Sequence, residues 1–170
     1  FLDNGCHLLD LVRWFLGEFE ECTGYVGTTY WPISPLEDNG LGIFKTLDGR
    51  FAFVQSSWTE WSEYMYTEIY GTEGCIWIDN RNQSCKTILK KKDGTEDIFD
   101  YSHQPKQSYW LEFQDFVKTI QAGEQPLPSG YDGLRAVQMA YGVYQSSKTG
   151  RVVKIYGEAE EKLSRLVNVR

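Results

Sequence analysis

The chain has 170 residues, with 24 Asp and Glu against 17 Lys and Arg, a formal net charge of −7, and an aromatic set of 6 Trp, 11 Tyr and 9 Phe. Such a length fits one domain that buries roughly 70% of the surface its unfolded chain exposes. The acidic balance argues against a nucleic-acid partner, the only basic run being Lys90-Lys91-Lys92 before a turn-forming Asp93-Gly94, and no run of about 18 apolar residues offers a membrane span. With no leader-like segment in view, the expected setting is cytoplasmic.

The first predicted element is a helix over about 4–16. Leu8, Leu11, Val12 and Phe15 recur at helical spacing, and Gly17 is placed to stop them. Its mouth reads Asp3-Asn4-Gly5-Cys6-His7, a carboxylate and an imidazole four residues apart, and side chains at that spacing share one helix face. If Asp3 or Asn4 caps the helix, His7 falls in the first turn, where the positive end of the macrodipole favours a neutral, proton-accepting ring. A neutral histidine beside an ionised aspartate suits a general base. The same residues also describe an ordinary capped amphipathic helix, and the spacing alone leaves both readings open.

From Glu18 to about Phe99 the period changes to two, with turn signals at Asp48-Gly49, Gly71-Thr72-Glu73-Gly74, Asp79-Asn80 and Asp93-Gly94. Strands are predicted over 23–30, 41–47, 51–59, 64–70, 75–78, 87–90 and 97–99. Short turns between them imply antiparallel pairing. Apolar groups on both faces of the 51–59 strand suggest a sheet covered by helices on one side and by a partner on the other. Trp58 and Trp61 can stack on a sugar ring or simply serve core or interface. Cys6, Cys22, Cys75 and Cys85 lack C-x-x-C spacing and a histidine cluster, so no metal site is expected and they read as buried thiols.

Two helices return, over about 106–122 and 132–149. The first carries Tyr109, Phe113, Phe116, Val117 and Ile120 on one face and is preceded by His103, which can reach a cleft or sit on the surface. The second opens with Tyr131 and Asp132, which can contact substrate, although Asp132 also suits an N-cap. A last strand is read over 151–155, and a charged tail follows over 156–170. Helix, strands, two helices, strand is an α+β order, a large, predominantly antiparallel open sheet with helices packed on one face.

These motifs, in this order, resemble the C-terminal substrate-binding domain of the Gfo/Idh/MocA family, named for glucose-fructose oxidoreductase and inositol dehydrogenase. The resemblance rests on Asp3, Gly5, His7 and Asp10; Trp14 and Gly17; Gly71-Thr72-Glu73-Gly74 before Cys75-Ile76-Trp77-Ile78-Asp79; Phe113 to Phe116; Gly130-Tyr131-Asp132-Gly133; and Tyr144-Gln145-Ser146-Ser147 with Gly150-Arg151 and Val153. It covers residues 1 to about 155. It implies the substrate-binding half of a nicotinamide-dependent oxidoreductase acting on a hydroxyl of a sugar, sugar derivative or cyclitol. His7 would be the acid/base and Asp3 its orienting partner, with Trp58, Trp61, Tyr131, Asp132 and His103 as candidate substrate contacts; Asp10 suits a structural hydrogen bond.

The family's third group, a lysine in a Lys-Pro step, belongs to an N-terminal Rossmann domain, and neither Lys-Pro nor G-x-G-x-x-G occurs in these residues. The resemblance therefore implies NAD or NADP in the full-length protein, a chain read as a cut piece without its Rossmann domain, and neither cofactor binding nor activity in this piece alone. It also implies a homo-oligomer through the open sheet face. The rival reading is a non-catalytic binding or dimerisation module of the same fold, because function resides in the site rather than the fold.

Overall fold

Helix α1 (Leu2–Leu16) begins two residues before its predicted start, so neither Asp3 nor Asn4 caps it: Phe1 holds the cap position and His7 lies in the second turn, not the first. The coordinates, a computed structural model, describe residues 1–62, 65–81, 84–104 and 108–155. The predicted tail over 156–170 lies outside the described residues. Strands β1 (Phe19–Gly27), β2 (Asn39–Thr46) and β3 (Phe51–Ser57) follow α1, then β4 (Tyr66–Gly71), β5 (Gly74–Asp79), β6 (Lys86–Lys91) and β7 (Glu96–Asp100). Helices α2 (Ser108–Gln121) and α3 (Gly130–Thr149) precede a short β8 (Val153–Lys154). The class is α+β as expected, with the antiparallel strands divided between two four-stranded sheets. Each sheet belongs to its own compact unit, one of Phe1–Thr59 with the segment from Gly123, the other of Glu60–Ala122.

In the first unit the sheet order is β3-β2-β1-β8, every pair antiparallel. One face carries Cys22, Phe44, Ala52 and Val54, which pack with Leu9 of α1 and with Ala136, Met139, Ala140 and Val143 of α3 into the core. Gly24 and Gly42 face each other across β1 and β2. A Cβ on Gly24 would stand 2.2 Å from the Leu41 carbonyl and 3.0 Å from Val143 Cγ1, and one on Gly42 2.8 Å from Val143 Cγ2. Bare backbone at this pair is what lets α3 lie so close to the sheet. The opposite face exposes Tyr25, Ile43, Phe51 and Phe53.

Strand β1 starts four residues earlier than predicted because its register shifts between Phe19 and Glu21. An extra residue inverts the alternation, so Phe19 and Cys22, three apart, both face the core, and a strict period of two cannot find the strand's beginning. At the other end of the chain the predicted strand over 151–155 contracts to β8. The Ser146 hydroxyl donates to the Arg151 carbonyl at 2.7 Å, taking the group that would have extended the ladder.

The second unit pairs its strands in the order β4-β5-β6-β7. The basic run forms the hairpin edge, where Lys90 meets Glu96 at 3.2 Å and Lys91 meets Asp97 at 2.8 Å. The predicted apolar face of the first returning helix lies on α2, but Tyr109, Phe113, Phe116, Val117 and Ile120 are all exposed there. Periodicity identifies the face that seeks cover, not its cover. All four cysteines are free, and only Cys22 is buried. Burial, and after it the Glu21 charge, push the Cys22 thiol up to about 12; Cys6, Cys75 and Cys85 are half-buried, against the reading of buried thiols throughout.

Candidate active site

Asp3 and His7 stand exposed on successive turns of α1, on one face by their spacing. Gly5 between them is buried. A Cβ there would come within 3.3 Å of the Phe1 ring, which in turn lies over Gly40, where a Cβ would meet it at 2.7 Å. The two glycines seat the start of α1 on the start of β2.

Both ends of α1 are tied down. At its start the Glu37 Oε1 accepts from the Phe1 nitrogen at 2.8 Å, the Leu2 amide at 3.2 Å and the Tyr144 hydroxyl at 2.5 Å. At its end Gly17, at φ 78°, donates its amide to the Arg13 carbonyl at 2.7 Å. Arg13 then donates to Glu18 Oε1 at 2.6 Å through Nη2 and to Asp132 Oδ1 at 2.6 Å through Nη1. Asp10 comes only to 4.0 Å of Arg13 Nη1, a weak structural contact. The helix bearing the aspartate and histidine is thus fixed by long-range polar bonds as well as by packing.

Asp132 is the third residue of α3 and forms a capping box with Ser129, which is the N-cap. Burial alone would raise its pKa, but the hydrogen bonds from Arg13 and Ser129 prevail and hold it at about 2. Its carboxylate oxygens are therefore occupied by protein groups. Beside it the Tyr131 ring has Arg13 Cζ at 5.4 Å and Arg135 Cζ at 5.3 Å, while its hydroxyl is buried without a hydrogen-bond partner among the described residues. Trp58 follows β3, half exposed, its amide donating to the Asp38 carbonyl at 2.7 Å and its own carbonyl accepting from Trp31 Nε1 at 2.9 Å. Asp3, His7, Trp58, Tyr131 and Asp132 belong to the first unit, whereas Trp61 and His103, both exposed, belong to the second.

Two open depressions, of about 600 and 390 Å³, lie along the C-terminal half of α3 and β8, and neither includes a candidate residue. Among the described residues no group of three His, Cys, Asp or Glu could hold a metal ion. Nor is any described helix long and apolar enough to cross a membrane.

Sequence reasoning missed Glu37, Tyr144 and Asp38. Tyr144 opens the Tyr144-Gln145-Ser146-Ser147 motif, which gives no sign of a partner 107 positions away. Glu37 and Asp38 lie in a stretch without periodicity, where only Asp38-Asn39-Gly40 hints at a fixed turn.

The α+β architecture, an antiparallel sheet under two helices, is that of an oxidoreductase C-terminal alpha/beta domain. Residues 1–155 match the Gfo/Idh/MocA oxidoreductase family, C-terminal alpha/beta domain, and the chain belongs to that family. It is 24% identical over 165 residues to a myo-inositol 2-dehydrogenase of Thermotoga maritima, covering 91% of this chain and 48% of that protein. It is 26% identical over 161 residues to an NAD(+) scyllo-inositol 2-dehydrogenase of Bacillus subtilis, covering 91% and 47%. The chain spans about half the length of the curated relatives it matches. Its fold is shared with a levoglucosan dehydrogenase solved in complex with NADH and levoglucosan, at a TM-score of 0.76 and 19% identity, over 91% of this chain and 50% of that one.

Proposed function

We propose that this chain is the substrate-side half of an NAD- or NADP-dependent dehydrogenase acting on a hydroxyl of a sugar, sugar derivative or cyclitol. The observation that carries the reading is the pairing of Asp3 with His7, the family's motif residues, exposed on adjacent turns of a helix clamped at both ends. His7 takes the hydroxyl proton during oxidation and returns it during reduction; Asp3 orients the ring or the substrate. Trp58, half exposed, is the substrate contact best supported within the same unit, and Tyr131, whose hydroxyl is buried with no partner among the described residues, remains a candidate there. Trp61 and His103 remain candidates from the other unit, while Asp132 is better explained as the partner of Arg13 and Ser129.

The nicotinamide would supply the hydride partner. The described residues do not fit its dinucleotide, since that needs a glycine-rich turn leading from a strand into a helix, and residues 101–107 between β7 and α2 contain no glycine. On this reading the cofactor is held by an N-terminal Rossmann domain of the full-length protein, which the half-length span of the chain against its relatives supports. The family match spans both compact units, which supports reading them as one substrate-binding domain. Free thiols suit a reducing, cytoplasmic setting. The exposed aromatic sheet face supports a homo-oligomer.

The test uses the full-length gene product with myo-inositol and D-xylose as substrates. His7→Ala is expected to lower kcat by about 10² to 10⁴ with little change in thermal stability, and Asp3→Asn to lower it while keeping the fold. Near wild-type turnover by both folded variants would refute the assignment.

A further inference from the structure

The loop over 28–38, between β1 and β2, is built as a rigid support for exposed aromatics. Asp38 is 0% exposed and turns its carboxylate back into the loop. Its Oδ1 accepts from the Thr29 amide at 2.8 Å and the Thr29 hydroxyl at 3.1 Å, and its Oδ2 accepts from the amides of Tyr30 at 2.7 Å and Trp31 at 2.8 Å. Asn39 Nδ2 adds a bond to Asp38 Oδ1 at 2.9 Å, and Asn39 Oδ1 accepts from the Ser57 hydroxyl at 2.5 Å at the end of β3. A buried carboxylate persists only when its lone pairs are filled in this way. Three consecutive amides aimed at one side chain fix the backbone of residues 29–31.

The rings this backbone carries face outward. Tyr30 is 62% exposed and Trp31 39%, and they meet edge to face with centroids 5.0 Å apart. Trp31 Nε1 donates to the Trp58 carbonyl, so the indole's only donor is spent on the protein and its plane is set. Trp58, 49% exposed, is bonded back to Asp38 through its amide. The backbone under these rings is held from behind by the polar groups of Thr29, Asp38, Asn39 and Ser57. The loop also touches the helix that carries Asp3 and His7, because Glu37, next to Asp38, accepts from the Leu2 amide.

We propose that Tyr30, Trp31 and Trp58 form a stacking platform for the C–H face of a pyranose or cyclitol ring, selecting which rings reach His7. It rests on the function proposed above and assigns to it a binding element outside the Asp3/His7 helix. Such a ring has an apolar face of C–H groups and an edge of hydroxyls, and an aromatic surface removes the former from water while leaving the latter solvated. Because the backbone and the Trp31 plane are already fixed, little freedom is lost when the ring binds.

Saturation-transfer NMR on the full-length gene product tests this, irradiating aromatic protons with myo-inositol, D-xylose and acyclic glycerol as probes. The expected result is transfer to the C–H protons of at least one ring probe, and affinity at least tenfold weaker in Tyr30→Leu/Trp31→Leu, a variant that keeps every backbone bond to Asp38. Trp31→Phe, which retains an aromatic face, should recover part of the loss. Wild-type affinity in the double variant would overturn the proposal, as would absence of transfer to both rings in the wild type. A change in sedimentation with unchanged ring binding would overturn it too, assigning the patch to contacts between copies. Hydride-transfer assays separate the two readings: full turnover by His7→Ala with platform binding intact refutes the acid/base role alone, and an inactive His7→Ala beside an unaffected double variant refutes the platform alone.

Discussion

Arg13 and Asp132, 119 positions apart, meet at 2.6 Å and join the last turn of α1 to the first turn of α3. Arg13 is the centre of the arrangement, since it also grips Glu18, and both carboxylates hold its pKa above the ordinary value against the opposing effect of burial. Arg13→Met removes the cation and leaves Asp132 half-buried without its counter-charge. We expect a loss of about 2–3 kcal/mol in urea unfolding, below the roughly 3–5 kcal/mol of a fully buried pair because Glu18 remains exposed to water. A change within experimental error would show that the pair contributes nothing to the fold.

The same contact predicts a pH dependence. Asp132 has a folded pKa of about 2 against an ordinary value of 3.8, so the unfolded chain binds more protons in that interval. Its contribution is complete above pH 4 and is lost as pH falls toward 2. After allowance for solvent screening it amounts to about 1 kcal/mol. Asp132→Asn should flatten the decline in stability across pH 4 to 2, and an unchanged slope would refute the assignment.

How far the sequence reaches depends on the range of the interaction. The Asp3/His7 helix was legible because its period, its Gly17 stop and its motif all lie within seventeen residues, and the hairpin strands because turn residues mark them. The clamp on α1 was not, since Tyr144 and Glu37 are 107 positions apart and only the fold brings them together. The start of β1 was hidden by its bulge, which breaks the alternation that reveals strands. The Asp38 loop has no period at all: its order comes from a carboxylate bonded to amides seven to nine residues earlier.

The close approach of α3 to the sheet yields a packing prediction. Gly24→Ala places a Cβ against the Leu41 carbonyl, which is backbone and cannot rotate aside, and against Val143. Strands β1 and β2 must separate or α3 must lift, and overpacking of this kind costs roughly 1–3 kcal/mol. Thermal unfolding should show a lower Tm for Gly24→Ala. A neutral or stabilising effect would mean that the strands do not approach so closely.

The outer face of the β3-β2-β1-β8 sheet carries the last prediction. Phe51 and Phe53 on β3, Ile43 on β2 and Tyr25 on β1 project from the face opposite α3, and Ile43 and Phe53 are directly paired across the strands. Apolar groups contiguous over three strands form a surface that gains from cover, and a two-fold pairing of identical sheets would bury each copy's patch against the other's. Phe53→Asp sets a charge in the middle of that patch without touching the core on the other face. Sedimentation velocity should show the wild-type protein as an oligomer and Phe53→Asp shifted toward monomer, with Tm little changed if measured below the association range. A wild type that stays monomeric over a wide concentration range, or an oligomer indifferent to Phe53→Asp, would place the subunit contact elsewhere or remove it.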